Sequence, residues 1–450
     1  MVKVSVSDLS PGMELAEDVK TPGGRFLMPR GTRLERSHLT MLAGWGVGDV
    51  DVVVARPKAP PGPPSADRET PPAPEGPKPA DFFEQAMEAA RGRFVFVDLR
   101  EEVAATVFRL SVARTAKRLA RAALEASGKG APAPKPQARP VPKPPAGAAA
   151  EPIPTPEDLL REDPQLVSLP EVFTRINEVL HDPRSSVEDA ARIIGTDASL
   201  SAKLLKLVNS AFYRRASRAV EKRFPAKVDS LTRAVMIVGG KQLATLALGV
   251  SVLPIFRDIP PEYINMKAFW KHSIGCGMIA RALAEHAGSS AGESSFVAGL
   301  LHDIGRLVLY KHLPGPSGAS LRRSREEFIT LTQAEGEIFG FDHGHLGGLL
   351  LRKWQYPAAL EKMVRYHHDL GEPLFIEEPA VIHVADFLVN ALEIGTSGEW
   401  RVPALLPAAV EALSLTGTDL KKVLAGVEER IEEVFASFFP GDGEALRGAP

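Results

Sequence analysis

The sequence is poor in cysteine and in net charge, and both shortages exclude classes of protein. Cys276 is the one cysteine among 450 residues, which excludes an internal disulfide framework and a cysteine-rich zinc site. The formal net charge is only −2, so the chain has no overall basic field of the kind that nucleic-acid or anionic-membrane binding uses. We therefore expect a protein of the reducing cytoplasm that does not act mainly on nucleic acid.

A long apolar run is also missing. The most apolar stretch, residues 243–256, is interrupted by polar residues, glycine and proline, and it is shorter than the roughly 20 residues that a membrane helix needs. The first 20 residues carry acidic side chains where a secretory leader has an apolar run. We predict no membrane span and a folded domain at the N-terminus.

Proline, by contrast, is abundant in two stretches that contain few apolar side chains. Such sequences form extended, semi-rigid linkers and not packed cores. They divide the chain into five predicted parts: a small β-containing N-terminal module at 1–56, a Pro-rich linker at 57–80, a small mixed or helical island at 81–128, a Pro/Ala-rich linker at 129–156, and a helical domain at 157–440.

The periodicity of apolar residues predicts a mainly α fold. Residues 1–56 alternate short β-type runs with turn signals, with a short helix at about 36–43. In the island, Phe94–Val97 is typical of a β-run, and a helix with an exposed basic face follows it. From residue 157 onward apolar residues recur at helical spacing. The basic residues of the island helix are Arg109, Arg114, Lys117, Arg118 and Arg121.

The first half of the helical domain carries a recognisable series of residues. They are Leu169-Pro170, Asp197, Leu200, Leu204-Leu205, Asn209-Ser210-Ala211, Ala234, Gly239 and Leu246. This stretch is similar to the N-terminal half of HDOD modules. Because buried polar residues near a helix end usually cap or cross-link backbone groups, we interpret Asn209 and Ser210 as structural.

The second half carries histidines and aspartates in the order of an HD-domain metal site. The resemblance implies a division into an N-terminal bundle (157–256), an HD-like half (257–395) and C-terminal helices (396–440). Imidazoles and carboxylates supply N and O ligands to divalent manganese, iron or magnesium, which activate water and stabilise phosphoryl oxygens. The implied metal ligands are His272, His302, Asp303, His343, His367 and Asp386.

Helical spacing supports a buried position for three of these side chains. His272 shares a stripe with Cys276, Asp386 shares one with Ile382, and Asp303 lies at helical spacing from apolar neighbours. A buried, unpaired carboxylate costs several kcal/mol, so each needs a partner. Either a metal or a metal-free network of His–Asp hydrogen bonds meets that need, and the spacing leaves both open.

The remaining histidines match the pattern less well. We interpret His345 and His368 as neighbours of ligands, because each lies close to a better-matched histidine. His286, His312 and His383 match no motif, and surface or packing roles are expected for them.

Two departures separate the chain from active cyclic di-GMP hydrolases of the HD-GYP type. The acidic, glycine-rich stretch ending in Gly-Tyr-Pro is replaced by DLGEPLFIEEP after His368. Arg306 also stands where active relatives commonly have lysine, although its fork of donors can still clamp a phosphate.

Residues 3–54, which open KVSVSDLSPGMELAEDV, resemble the small module that precedes the catalytic domain in many HD-GYP proteins.

Two functions remain open. The first is a bacterial signal-transduction protein whose HDOD domain binds a nucleotide-type ligand or a partner signalling protein. The alternative is a metal-dependent phosphohydrolase acting on a nucleotide or cyclic dinucleotide, in which Asp303 and Arg306 would be the catalytic residues. The sequence does not name the ligand, the pathway or the oligomeric state.

Overall fold

The chain forms two compact units, Met1–Glu75 and Gly76–Pro450, in a computed structural model. Most of both predicted linkers lies outside the residues that the structure describes. The described residues are 2–53 (without 7–8, 11, 21–25, 35–37, 40–41 and 43–46), 79–127, 152–162, 170–210 (without 183), 213, and 228–439 (without 257–258, 290 and 372–375).

The first unit contains strands, as predicted, and they form two small antiparallel sheets. One sheet has the strand order β1-β5-β2, and β3 pairs with β4 in the other. Leu15, Leu34 and Val52 are among the residues of its small core. The strands are β1 (Val2–Ser5), β2 (Glu14–Leu15), β3 (Val19–Lys20), β4 (Phe26–Met28) and β5 (Asp49–Val53).

The second unit is built from helices around a large apolar core, and a small separate apolar cluster that includes Ala86, Ala90 and Val112 lies between its first two described helices. Among the described residues of both units, no single helix is long and apolar enough to cross a membrane, and one pair passes that test only with a bend of 114° between its members. The helices are α1 (Pro79–Arg93), α2 (Glu102–Ser127), α3 (Pro156–Glu162), α4 (Glu171–His181), α5 (Val187–Ile194), α6 (Ala198–Asn209), α7 (Leu231–Val238), α8 (Gly240–Ser251), α9 (Met266–His286), α10 (Gly292–Leu301), α11 (Ile304–His312), α12 (Pro314–Glu326), α13 (Leu331–Phe339), α14 (His343–Lys353), α15 (Ala358–Arg365), α16 (Glu377–Ala391), α17 (Pro407–Ala412), α18 (Gly417–Leu424) and α19 (Val427–Phe438).

The predicted β-run at Phe94–Val97 is wrong, because these residues form the turn between α1 and α2. Phe94 is buried there and meets Phe108 edge to face, with ring centroids 5.2 Å apart. Packing of the aromatic ring, and not pairing with another strand, therefore explains why the run is apolar. The island is helical in its described residues.

The two island helices are part of the second unit, and the basic face of α2 is only partly solvated. Ser111 Oγ donates to Ala391 O over 2.7 Å at the end of α16. Arg118 forms an ion pair of 2.9 Å with Glu393, and the half-buried Arg114 pairs with Glu428. The expectation of a fully exposed basic face is thus corrected.

Asn209 ties α6 to the segment that leads into α7, and Ser210 caps the end of α6, in agreement with their structural interpretation. Asn209 Nδ2 donates to Leu205 O and to Val228 O, both over 2.7 Å. Its Oδ1 accepts from Val228 N over 2.8 Å. Ser210 Oγ donates to Leu207 O over 2.7 Å.

Glycines allow the helices around the centre of the second unit to approach closely. A Cβ atom at Gly299 would lie 2.6 Å from Gly277 Cα, so α9 and α10 pack backbone to backbone at this point. A Cβ atom at Gly305 would overlap His343 O, so α11 begins directly against α14. These contacts require residues without a side chain. They bring together four of the helices that carry the predicted ligands.

We expect Asn209→Ala to lower the free energy of unfolding by roughly 1–3 kcal/mol, because it leaves buried backbone groups at Val228 without partners. Chemical denaturation of the full chain measures the change. Lys206→Ala, at an exposed position on the same helix, is the matched control. Equal stability of the two variants would contradict the cross-linking role.

Candidate metal centre

The six side chains predicted as ligands meet in one place. They come from α9, the junction of α10 and α11, the start of α14, the turn after α15, and α16. Each is buried, with an exposed fraction between 0% and 6%. The six are His272, His302, Asp303, His343, His367 and Asp386. Together with His368 they are called the His–Asp cluster below.

Four members form a first ligand group: His272, His302, Asp303 and Asp386. His272 Nε2 lies 3.4 Å from Asp303 Oδ2 and 3.2 Å from Asp386 Oδ1. His302 Nε2 lies 3.1 Å and 3.3 Å from the same two oxygens. Two imidazole nitrogens and two carboxylate oxygens thus surround one small space.

The spacing of the first ligand group fits a metal ion. Metal–ligand bonds of about 2.1 Å place neighbouring ligand atoms about 3.0 Å apart around an octahedral ion and about 3.4 Å apart around a tetrahedral one. The measured separations of 3.1 Å to 3.4 Å fall in the same interval. Mixed nitrogen and oxygen donors also suit divalent transition metals.

A second ligand group lies beside the first and consists of His343, His367 and His368. His343 Nε2 is 2.9 Å from His368 Nε2 and 2.9 Å from Asp303 Oδ1. Asp303 therefore turns one oxygen toward each group. This is the position from which a carboxylate can bridge two metal ions.

Backbone carbonyls orient two of the imidazoles. His302 Nδ1 lies 2.8 Å from Gly299 O, and His367 Nδ1 lies 2.6 Å from Val364 O. Because a carbonyl only accepts, each Nδ1 carries a hydrogen, and the neutral ring presents an Nε2 lone pair. His367 Nε2 is buried and has no hydrogen-bond partner. Such a lone pair is what a metal ion requires of a histidine ligand.

The two carboxylates of the first ligand group lie beside groups that stabilise their ionised form. Burial alone would raise the pKa of Asp303, but Arg306 and His302 outweigh burial and hold it well below its usual range. Contacts with His272 and His302 do the same to the pKa of Asp386. Burial lowers the pKa of His302, yet Asp303 raises it well above its usual range. Two ionised carboxylates therefore face a space that a proton or a metal ion must neutralise.

Arg306, whose fork of donors can clamp a phosphate, is buried among polar groups of the chain. The side chain is 2% exposed, and protein groups hold its guanidinium. Nη1 lies 2.6 Å from Ser397 Oγ and 3.5 Å from Asp303 Oδ2. Nε lies 3.3 Å from Glu335 Oε1, and Nη2 lies 3.2 Å from Glu399 Oε2. The geometry places Arg306 as a positioning residue for Asp303.

Sequence analysis missed several residues of the centre. Glu335 shares a helical stripe with the buried Leu331 and Phe339, so the argument that identified His272 could have found it. Ser397 and Glu399 lie in the segment after α16, where no periodicity marks an inward side chain.

The other histidines take different positions. His368, interpreted from sequence as a neighbour, belongs to the second ligand group. His345 lies outside the cluster, with Nδ1 3.4 Å from Arg365 Nη2. His383 has the packing role expected of it, because its Nδ1 donates to His367 O over 2.8 Å and its Nε2 accepts from Leu406 N over 3.0 Å.

A cavity of about 450 Å³ lies next to the centre and is separate from it. Phe341, His345, Arg365 and Tyr366 are among its lining residues, and no member of the His–Asp cluster is among the described residues that line it. The six predicted ligands themselves are buried, with exposed fractions of 0% to 6%.

Comparison with known proteins identifies relatives of the helical unit. Residues 166–370 match the model of the HDOD domain. An uncharacterized protein of Treponema pallidum (strain Nichols) is 26% identical over 240 residues, which are 51% of this chain and 42% of that protein. The chain therefore spans less than half the length of this curated relative.

Two solved structures are also similar. An HDOD domain protein with unknown function from Geobacter sulfurreducens is 24% identical, with a TM-score of 0.49, over 63% of this chain and 96% of that one. A protein from Shewanella amazonensis SB2B, provisionally named a phosphohydrolase, is 20% identical, with a TM-score of 0.49, over 62% of this chain and 99% of that one.

We expect Asp303→Ala to lower the metal content of the purified protein, because alanine cannot replace a carboxylate that faces both ligand groups. Elemental mass spectrometry after gel filtration measures the metal-to-protein ratio. Asp229→Ala removes a carboxylate that is 75% exposed and should leave the ratio unchanged. A metal-free hydrogen-bond network would give background metal in all three proteins and a large loss of stability in Asp303→Ala alone.

We expect metal affinity to rise with pH. Burial and Arg306 lower the pKa of His343, but Glu335 and Asp303 raise it to about 9. Below that pH the metal-free ring is protonated, and a metal must displace the proton because it binds the neutral ring. Affinity should therefore increase as the pH rises toward about 9. Calorimetric titration at a series of pH values tests this, and a pH-independent affinity would contradict it.

Proposed function

We propose that this chain, whose residues 166–370 match the model of the HDOD domain, is a regulatory signal-transduction protein that acts by binding. The HDOD domain binds a nucleotide-type ligand or a partner signalling protein in the cytoplasm, and it does not hydrolyse a phosphate ester. Neither nucleic acid nor a membrane is expected as its main target.

The burial of the ligand side chains is the observation that carries this proposal. A hydrolase must bring a phosphoryl group and a water molecule to its metals. In this chain the six predicted ligands are between 0% and 6% exposed, and the Arg306 guanidinium is held by Ser397, Glu335 and Glu399. The arrangement favours a centre that stabilises the helical unit over one that turns over a substrate.

A divalent manganese or iron ion suits the cluster better than magnesium in this proposal, because magnesium prefers oxygen ligands and most donors here are imidazole nitrogens. When bound, the ion supplies the positive charge that Asp303 and Asp386 require. Two backbone carbonyls, Gly299 O and Val364 O, orient the rings of His302 and His367 toward the ion's position. Segments from across the helical unit then share one centre, and its occupancy can affect the surfaces that a partner contacts.

We further propose that the N-terminal unit is a separate interaction module of the kind that precedes HD-GYP domains. Its sequence resemblance and its small antiparallel sheets support this. Its partner would be another component of the same signalling system.

A metal-dependent phosphohydrolase is the second candidate function. The completeness of the ligand set favours it, since His368 joins the predicted residues and Asp303 faces both ligand groups. Catalysis by this centre would require a rearrangement that exposes it to substrate.

We expect the metal-loaded full chain to show no phosphodiesterase turnover above that of Asp303→Ala. Bis(p-nitrophenyl) phosphate and cyclic di-GMP are the substrates, with Mn²⁺ supplied in excess and product measured by absorbance and chromatography. Metal-dependent turnover that Asp303→Ala abolishes and Asp229→Ala preserves would overturn the proposal in favour of the phosphohydrolase.

A further inference from the structure

Glu335 is a buried carboxylate at the edge of the second ligand group. It lies on α13 and is 1% exposed. Its Oε2 accepts from His343 N over 3.1 Å and lies 2.5 Å from His343 Nδ1. Its Oε1 accepts from Arg306 Nε over 3.3 Å. One carboxylate thus contacts both a cluster imidazole and the buried guanidinium.

Two groups compete for the same nitrogen of His343. Arg306 Nε lies 3.3 Å from His343 Nδ1 and also 3.3 Å from Glu335 Oε1. A guanidinium only donates and a carboxylate only accepts, so the two neighbours favour opposite tautomers of the ring. Donation by Arg306 would leave the hydrogen on Nε2, which faces Asp303 and His368.

We propose that Glu335 is the positioning residue that decides this competition and so makes His343 a metal ligand. By accepting the Nδ1 hydrogen and the Arg306 Nε hydrogen together, it keeps the guanidinium from donating to the ring. His343 Nε2 then presents its lone pair to a divalent cation in the second ligand group. The inference rests on the metal binding proposed above.

Glutamine at this position is a sharp test, because it keeps the shape of glutamate but removes its charge and one of its two accepting oxygens. If the amide nitrogen faces His343, it can donate to Nδ1; if the amide oxygen faces His343 N, the nitrogen faces Arg306 and leaves the Arg306 Nε hydrogen to donate to Nδ1. Both donations place the ring hydrogen on Nε2, where it blocks a metal. Partners of metal-bound histidines typically contribute about 10–100-fold to metal affinity.

The experiment is a Co²⁺ titration of the full chain, followed by visible absorption, which reports on ligands to the ion. We expect Glu335→Gln to weaken binding at the site that contains His343 by about 10–100-fold. Glu361→Gln is the matched control, because Glu361 is also buried, at 8% exposure, but accepts from Arg352 and Arg365 over 2.7 Å and 3.2 Å. Its Co²⁺ affinity should equal that of the unaltered chain.

A double-mutant cycle with His343→Ala distinguishes positioning from general damage to the fold. If Glu335 acts through His343, then Glu335→Gln should cause no further loss of Co²⁺ affinity in a His343→Ala background. Thermal unfolding of each protein checks that the fold is retained. Additive losses in the cycle would overturn the inference, as would wild-type affinity in Glu335→Gln.

Failure of the proposed metal binding gives a different result. An unaltered chain that binds no Co²⁺ at all would remove the premise, and with it both the metal of the proposed function and the role of Glu335. Binding by the unaltered chain that Glu335→Gln leaves unchanged would overturn the role of Glu335 alone.

Discussion

The Asp303 carboxylate is the group on which the centre of the helical unit depends. It is 2% exposed and ionised, and a buried carboxylate that lacks partners costs several kcal/mol. Arg306, His302 and His343 supply those partners from α11, the end of α10 and the start of α14. The requirement to neutralise one charge therefore determines how these segments meet.

Close backbone packing makes this arrangement sterically feasible. Gly277 and Gly299 let α9 and α10 approach until no side chain fits between them, and Gly305 does the same for α11 and α14. Larger residues at these positions would push the helices apart and separate His272 from His302. The buried polar centre therefore depends on the glycine contacts between these helices.

Burial of the His–Asp cluster also bears on the proposed function. The cluster holds ligand atoms at metal-like spacing, yet its guanidinium neighbour is held by Glu335, Ser397 and Glu399. This burial, with three carboxylates and a hydroxyl around Arg306, is the observation behind the proposal that the centre is structural and that the domain acts by binding. Under this proposal, hydrolysis of a phosphate ester at the centre would need a different arrangement of the segment that contains Ser397 and Glu399.

Much of the centre could be predicted because its residues obey helical periodicity. His272 and Asp386 lie on apolar stripes, and a polar residue on such a stripe points inward whatever the tertiary structure. His343 and His367 were identified from the resemblance to an HD-domain metal site and not from helical periodicity. The β-run at Phe94–Val97 failed because local β propensity is weak beside aromatic packing.

The sequence by itself determined the mainly helical fold and the inward direction of the predicted ligands on helical stripes, because these follow from local spacing, and the resemblance gave the order of the predicted ligands. Only the tertiary structure decided that His368 joins the second ligand group, that Arg306 is held by Glu335 and Glu399, and that α1 and α2 belong to the helical unit. These features arise from contacts between residues far apart in the chain, and no local pattern of side chains encodes such contacts.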